Sequence, residues 1–174
     1  MHDPHPSETS LSWHLNDEGM SDSVINDILC FGNISNNYLG VFPFDALPSQ
    51  TKETCMLVIN VGQHFVTLYI SPNFVLYVDS LGLPIMHESI KKFIERHAPS
   101  LQVFYNTKQV QSLTSSHCGF YAVLFTLLFD GKKPLLDSGC IKFFSNRKYL
   151  TRNDQKCVNY IKSIVQNQDF HACE

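Results

Sequence analysis

Three short apolar runs follow one another in the middle of the chain: Cys55 to Val61, His64 to Ile70 and Phe74 to Asp79. Gly62-Gln63 and Ser71-Pro72-Asn73 separate them, and both breaks have turn composition. The pattern predicts three strands in an antiparallel meander. Upstream, Ser21 or Asp22 is placed to cap a short helix through Leu29, and residues 31 to 50 read as a Gly-, Asn- and Pro-rich loop. Downstream, Ile90, Phe93, Ile94 and His97 share one face of a helix that must end before Pro99. Gln102 to Tyr105 reads as a further strand. From Cys118 the chain is apolar all round until Gly131, which predicts a buried helix with Gly131 just past its end and Ser115 or Ser116 as its cap. Val158, Ile161, Ile164 and Val165 stripe a last helix. The fold class is α+β, with a central, mostly antiparallel sheet packed against the buried helix that begins at Cys118.

Composition narrows the picture. The 174 residues suit one domain with a real core, preceded by a polar tail over residues 1 to 20 in which Trp13 is a candidate anchor; the domain itself is expected over 21 to 174. No run has the apolar length of a membrane span, and the N-terminus has no basic region followed by an apolar stretch. Six cysteines without a secretory signal point to reduced thiols inside a cell. The absence of a Cys-x-x-Cys pair argues against zinc. Charge is uneven: residues 1 to 90 carry one basic and ten acidic side chains, and residues 91 to 174 carry twelve basic and six acidic. The basic half allows weak contact with DNA, but it contains no tight basic run, which favours ordinary solvated helix faces.

The meander has a chemical consequence. The start of its second strand and the end of its third lie at the same end of the sheet, so His64 and Asp79 come together. Parity decides their relation. A two- or four-residue second turn pairs Val66 with Asp79 and keeps His64 on the same face; a three-residue turn separates them.

Cys118, at the head of the buried helix, has the position of a nucleophile. A thiol is a weak nucleophile and a thiolate a strong one; a helix N-terminus and a protonated imidazole both favour the anion. Gln111, seven residues before Cys118, is the candidate amide donor to an oxyanion, with Gln109 as the alternative. The set implies a cysteine protease: Cys118 as nucleophile, His64 as base, Asp79 as its orienter and Gln111 at the oxyanion. Taken singly, each residue has an ordinary structural reading, as a small core thiol, a hydrogen-bonded strand histidine or a turn aspartate. Their joint order and spacing favour the chemical one. His117 adjoins the nucleophile in sequence, which ordinarily points a side chain elsewhere. Cys30, Cys55, Cys140, Cys157 and Cys173 read as core or surface thiols.

The order His64, Asp79, Gln111, Cys118 resembles the adenovirus-type cysteine proteases within the ubiquitin-like-protease clan. The spacing of seven matches the adenovirus branch and is one residue longer than is usual in the SUMO-protease branch. The segment Asn37-Tyr38-Leu39-Gly40-Val41-Phe42-Pro43-Phe44-Asp45-Ala46-Leu47-Pro48 looks like the stretch ahead of the first strand in that family, closest to the proteases of Polinton/Maverick elements and related viruses. Leu150-Thr151-Arg152-Asn153-Asp154-Gln155 resembles the opening of its C-terminal helix. The likeness spans roughly residues 24 to 165. Phe65 stands where relatives usually carry Trp, and Asp79 where adenovirus enzymes usually carry Glu; neither change removes a needed function.

The resemblance implies an endopeptidase that matures viral or mobile-element structural and capsid precursors at Gly-containing sites, working as a monomer in the host nucleus and the virion. A protease of ubiquitin-like modifiers and an inactive protease-like binding module are the alternatives. The resemblance requires no cofactor and implies activation by DNA and by a disulfide-tethered peptide, although the net charge of −3 departs from the basic adenovirus enzyme. No Cys lies between Asp79 and Cys118, where the tethering thiol is expected, so a peptide activator would bind non-covalently or through another thiol.

Overall fold

In the computed structural model, residues 15, 18–31, 37–128 and 149–169 are described. The elements in order are α1 (Asp22–Phe31), β1 (Tyr38–Pro43), β2 (Cys55–Asn60), β3 (Phe65–Ile70), β4 (Phe74–Asp79), α2 (Glu88–His97), β5 (Gln102–Tyr105), α3 (Cys118–Leu128) and α4 (Leu150–Asp169). The strands form one sheet in the order β1-β2-β3-β4-β5. The expected meander β2-β3-β4 is antiparallel and forms its centre. Each edge strand is parallel to its neighbour, β1 to β2 and β5 to β4.

The apolar runs explain the centre. The strands β2, β3 and β4 are buried over nearly their whole lengths, because helices cover both faces. One face carries Met56, Val58, Phe65, Tyr69, Leu76 and Val78 against α1, α3 and α4. The other carries Leu57, Ile59, Val66, Leu68, Val75 and Tyr77 against Ile90, Phe93 and Ile94 of α2. Every described side chain of α3 from Cys118 to Thr126 is buried, as an all-apolar helix requires. Thr67 Oγ1 donates to Ala122 O at 3.3 Å, tying β3 to α3.

Two expectations are corrected. The region 31 to 50 is not all loop, since it contains the edge strand β1. Gly40 and Pro43 hid that strand. Gly40 sits at φ +132 where the register slips against β2, and Pro43 closes an edge strand, where a missing N–H costs no ladder bond. Nor does a serine hydroxyl cap α3: Ser116 Oγ donates to Glu18 O and Ser115 Oγ to Ser112 O. At α1 the expected cap is present, with Val24 N donating to Ser21 Oγ at 3.4 Å. Of the expected tail, residues 1 to 14, 16 and 17, with Trp13, lie outside the described residues, while Leu15 and Met20 pack against the core. Gly131, Cys140 and Cys173 also lie outside them.

Candidate active site

His64 enters from a tight turn. Val61 N donates to His64 O at 2.8 Å across Gly62-Gln63, and Gly62, at φ +106, adopts the left-handed backbone such a turn needs. Asp79 ends β4. The second turn is a two-residue one in register: Ser71 N donates to Phe74 O at 3.0 Å, leaving Pro72-Asn73 as its tip, and Val66 pairs with Asp79. This is the parity that keeps His64 and Asp79 together. His64 Nε2 lies 2.8 Å from Asp79 Oδ1. A carboxylate only accepts, so Nε2 carries the proton in this contact.

Asp79 itself is buried and clamped. Its Oδ1 also accepts from Leu81 N at 2.7 Å. Its backbone N donates to Asn106 Oδ1 at 2.9 Å, and its carbonyl accepts from Asn106 Nδ2 at 2.6 Å. Through its pairing with Val66, Asp79 belongs to the α2 face of the sheet, whereas Cys118 heads α3 on the other. His64 stands just before β3 begins, at the end of the sheet, and lines the same cleft as Cys118. Burial alone would lower the imidazole pKa. Hydrogen bonding and negative charge from Asp79 and Cys118 outweigh it and push the pKa up to about 9.

His64, Gln111 and Cys118 line one cleft of about 600 Å³, together with Glu18, Met20, Asp22, Phe65, Leu81 and Leu113. Gln111 is buried, and its amide orientation is determined by chemistry. Nε2 donates to Ser115 O at 2.9 Å, and a carbonyl can only accept. Oε1 therefore faces Ser80, whose hydroxyl donates to it at 2.5 Å. One Nε2 hydrogen goes to Ser115, leaving the other free to serve a ligand. Gln109, the alternative, does not line the cleft; its Nε2 donates to Gln111 O at 2.8 Å. His117 also stays out of the cleft, edge-on to Phe120.

The sequence assigns no role to Ser80, Asn106, Asn153 or Asp154. All four are buried polar residues in contact with the site's framework. The available signals were slight: Ser80 directly follows Asp79, and Asn153-Asp154 is a polar pair in a helix striped by apolar residues. Gly82 belongs with them. At φ +71 it lets the turn after Asp79 pass against the backbone of residues 107–109, where a Cβ would come within 2.8 Å of Gln109 N.

No family model matches the sequence, and no curated protein does. Solved structures do match. The C-terminal Ulp1 protease domain in complex with Smt3, the yeast ortholog of SUMO, has a TM-score of 0.56 at 15% identity, over 92% of this chain and 82% of that one. A de-sumoylating protease has a TM-score of 0.55 at 14% identity, over 91% and 85%. SUMO protease Ulp1 with its catalytic cysteine oxidised to a sulfinic acid has 0.51 at 14%, over 90% and 83%. The chain shares their fold, as the α+β expectation required.

Proposed function

We propose that this chain is a cysteine peptidase of the ubiquitin-like-protease clan. The observation that carries the reading is the 2.8 Å contact of His64 Nε2 with Asp79 Oδ1, in a cleft shared with Cys118 and Gln111. The Cys118 thiolate attacks the scissile carbonyl. The tetrahedral oxyanion accepts hydrogen bonds from the free Gln111 Nε2 hydrogen and the backbone N–H of Cys118. The His64 imidazolium gives its proton to the leaving amine, and an acyl-enzyme forms. His64 then takes a proton from water, the hydroxide attacks the thioester, and the thiolate is regenerated. Asp79 keeps the imidazole in the tautomer and orientation these transfers need.

The finer reading is an endopeptidase acting on structural or capsid precursors at Gly-containing sites, with the host nucleus and the virion as its setting. It rests on the spacing of seven between Gln111 and Cys118 and on the segment 37 to 48. Gly beside the scissile bond also suits an extended backbone that must approach closely without a Cβ. A second reading, removal of a ubiquitin-like modifier, is favoured by the likeness to a protease domain solved with Smt3. The test is digestion of a peptide library and of a ubiquitin-like fusion ending in Gly-Gly, under reductant, with and without DNA, beside Cys118→Ala. Cleavage of library peptides next to Gly, with the fusion intact, supports precursor processing. Preferential cleavage of the fusion supports the second reading. Turnover that survives in Cys118→Ala refutes both.

A further inference from the structure

The opening of α4 resembles a family segment, yet none of its residues takes part in the chemistry above. Its position assigns it a task. Asn153 and Asp154, adjacent on α4 and each about 3% exposed, grip the backbone on either side of Gln111. Asn153 Nδ2 donates to Val110 O at 3.0 Å. Ser112 N donates to the Asp154 carboxylate, 3.2 Å from Oδ1 and 3.3 Å from Oδ2. The match is complementary: an amide N–H meets the carbonyl before Gln111, and a carboxylate meets the N–H after it. Tyr121, one helical turn beyond Cys118, places its hydroxyl 3.0 Å from both Asp154 Oδ1 and Val110 O. Nucleophile helix, α4 and Gln111 loop thus meet in one buried polar knot. From the opposite side Ser80 O accepts from Val110 N at 2.9 Å and Gln111 N at 3.0 Å.

We infer that Asn153 and Asp154 are positioning residues that hold Gln111 ready to stabilise the oxyanion. The physical reason is that an oxyanion donor is effective only if its geometry is set before charge develops. A loop residue has no helix or strand of its own to hold it. Here two neighbouring side chains from a residue pair more than forty positions away supply the restraint. None of the hydrogen bonds named here involves His64 or Asp79, so loss of the clamp should affect the oxyanion more than the thiol and its base.

This inference rests on the peptidase reading, and the experiment separates the two. Asn153→Ala, Asp154→Asn, Asp154→Ala, Tyr121→Phe, Gln111→Ala and the double variant Gln111→Ala/Asp154→Asn are compared with the parent chain. The readouts are turnover of a peptidyl-Gly-Gly fluorogenic amide, affinity for a peptidyl glycinal, which forms a tetrahedral adduct with the thiol, and the rate of alkylation by iodoacetamide, which forms none. The expected result for Asp154→Ala is a fall in kcat of about 10- to 100-fold, the scale of a displaced catalytic group, with KM little changed. Glycinal affinity should fall in parallel and alkylation should hold its rate. Asp154→Asn, which keeps one acceptor oxygen, should recover part of the loss. The double variant should be no worse than Gln111→Ala alone, because both changes remove the same interaction. Should Asp154→Ala fail to fold, Asn153→Ala carries the same test. Additive losses in the double variant, or alkylation falling with kcat, overturn the clamp. Gln111→Ala with unchanged glycinal affinity overturns the oxyanion assignment itself, and turnover by Cys118→Ala overturns the peptidase reading.

Discussion

Replacing Asp79 by Asn removes one negative charge and little volume. In the parent chain the imidazole of His64 is raised from 6.5 to about 9 against the opposing effect of burial. That difference is worth roughly 3 kcal/mol in favour of the imidazolium, at about 1.4 kcal/mol per pKa unit. Asp79 supplies part of the favourable contribution, so loss of its charge should lower the His64 pKa. The sign follows from the direction of the shift. A histidine whose folded pKa lies above its unfolded value stabilises the fold fully below about 6.5, and that contribution is lost as pH rises through about 9. In the proposed mechanism the same protonation lets His64 serve as the acid. The parent kcat/KM should therefore hold through neutral pH and fall on an alkaline limb near 9. Asp79→Asn should move the limb to lower pH and lower the plateau without abolishing it. The assay is kcat/KM from pH 5 to 10.5, as a rough working range, paired with urea unfolding at the same pH values. An unmoved alkaline limb in Asp79→Asn would falsify the pairing, as would a parent enzyme already losing activity between pH 6 and 7.

Four further outcomes follow from the same geometry. Limited iodoacetamide at mildly acidic pH should modify Cys118 before Cys30, Cys55 or Cys157, since Cys118 alone among them heads a helix beside His64; faster labelling of another thiol with activity intact refutes the assignment. Gln111→Ala should lower kcat by about 10²- to 10³-fold, and Gln111→Glu should do worse because a carboxylate repels the oxyanion; equal rates for the two count against a donor role. Ser80→Ala leaves Gln111 Oε1 without its donor and lets the amide turn, so kcat should fall roughly tenfold, with partial recovery in Ser80→Thr; unchanged kinetics mean that Ser115 alone orients the amide. Gly82→Ala should cost on the order of 3 kcal/mol, combining the left-handed backbone with overlap on residues 107–109; an unshifted urea midpoint contradicts that.

Most of the architecture could be read without coordinates, for local reasons. Long apolar runs such as Phe74 to Val78 and the all-apolar stretch from Cys118 have few alternatives to a buried strand and a buried helix. The exception, β1, fails where local chemistry misleads: Gly40 and Pro43 weaken an interior strand but are tolerated in an edge strand beside β2. The site divides along the same line. His64 and Asp79 were legible because a meander brings together residues close in sequence, subject only to the parity of one turn. The sequence by itself determined the order of the candidate groups and which two of them a meander brings together. Their orientation was decided only in three dimensions. The two-residue tip at Pro72-Asn73 set the faces, Ser80 and Ser115 set the Gln111 amide, and Asn153-Asp154 reached back across the chain to hold its loop. Hydrophobic periodicity is written residue by residue, whereas a buried hydrogen bond between distant residues leaves no periodic trace, so it appears only once packing has brought donor and acceptor together.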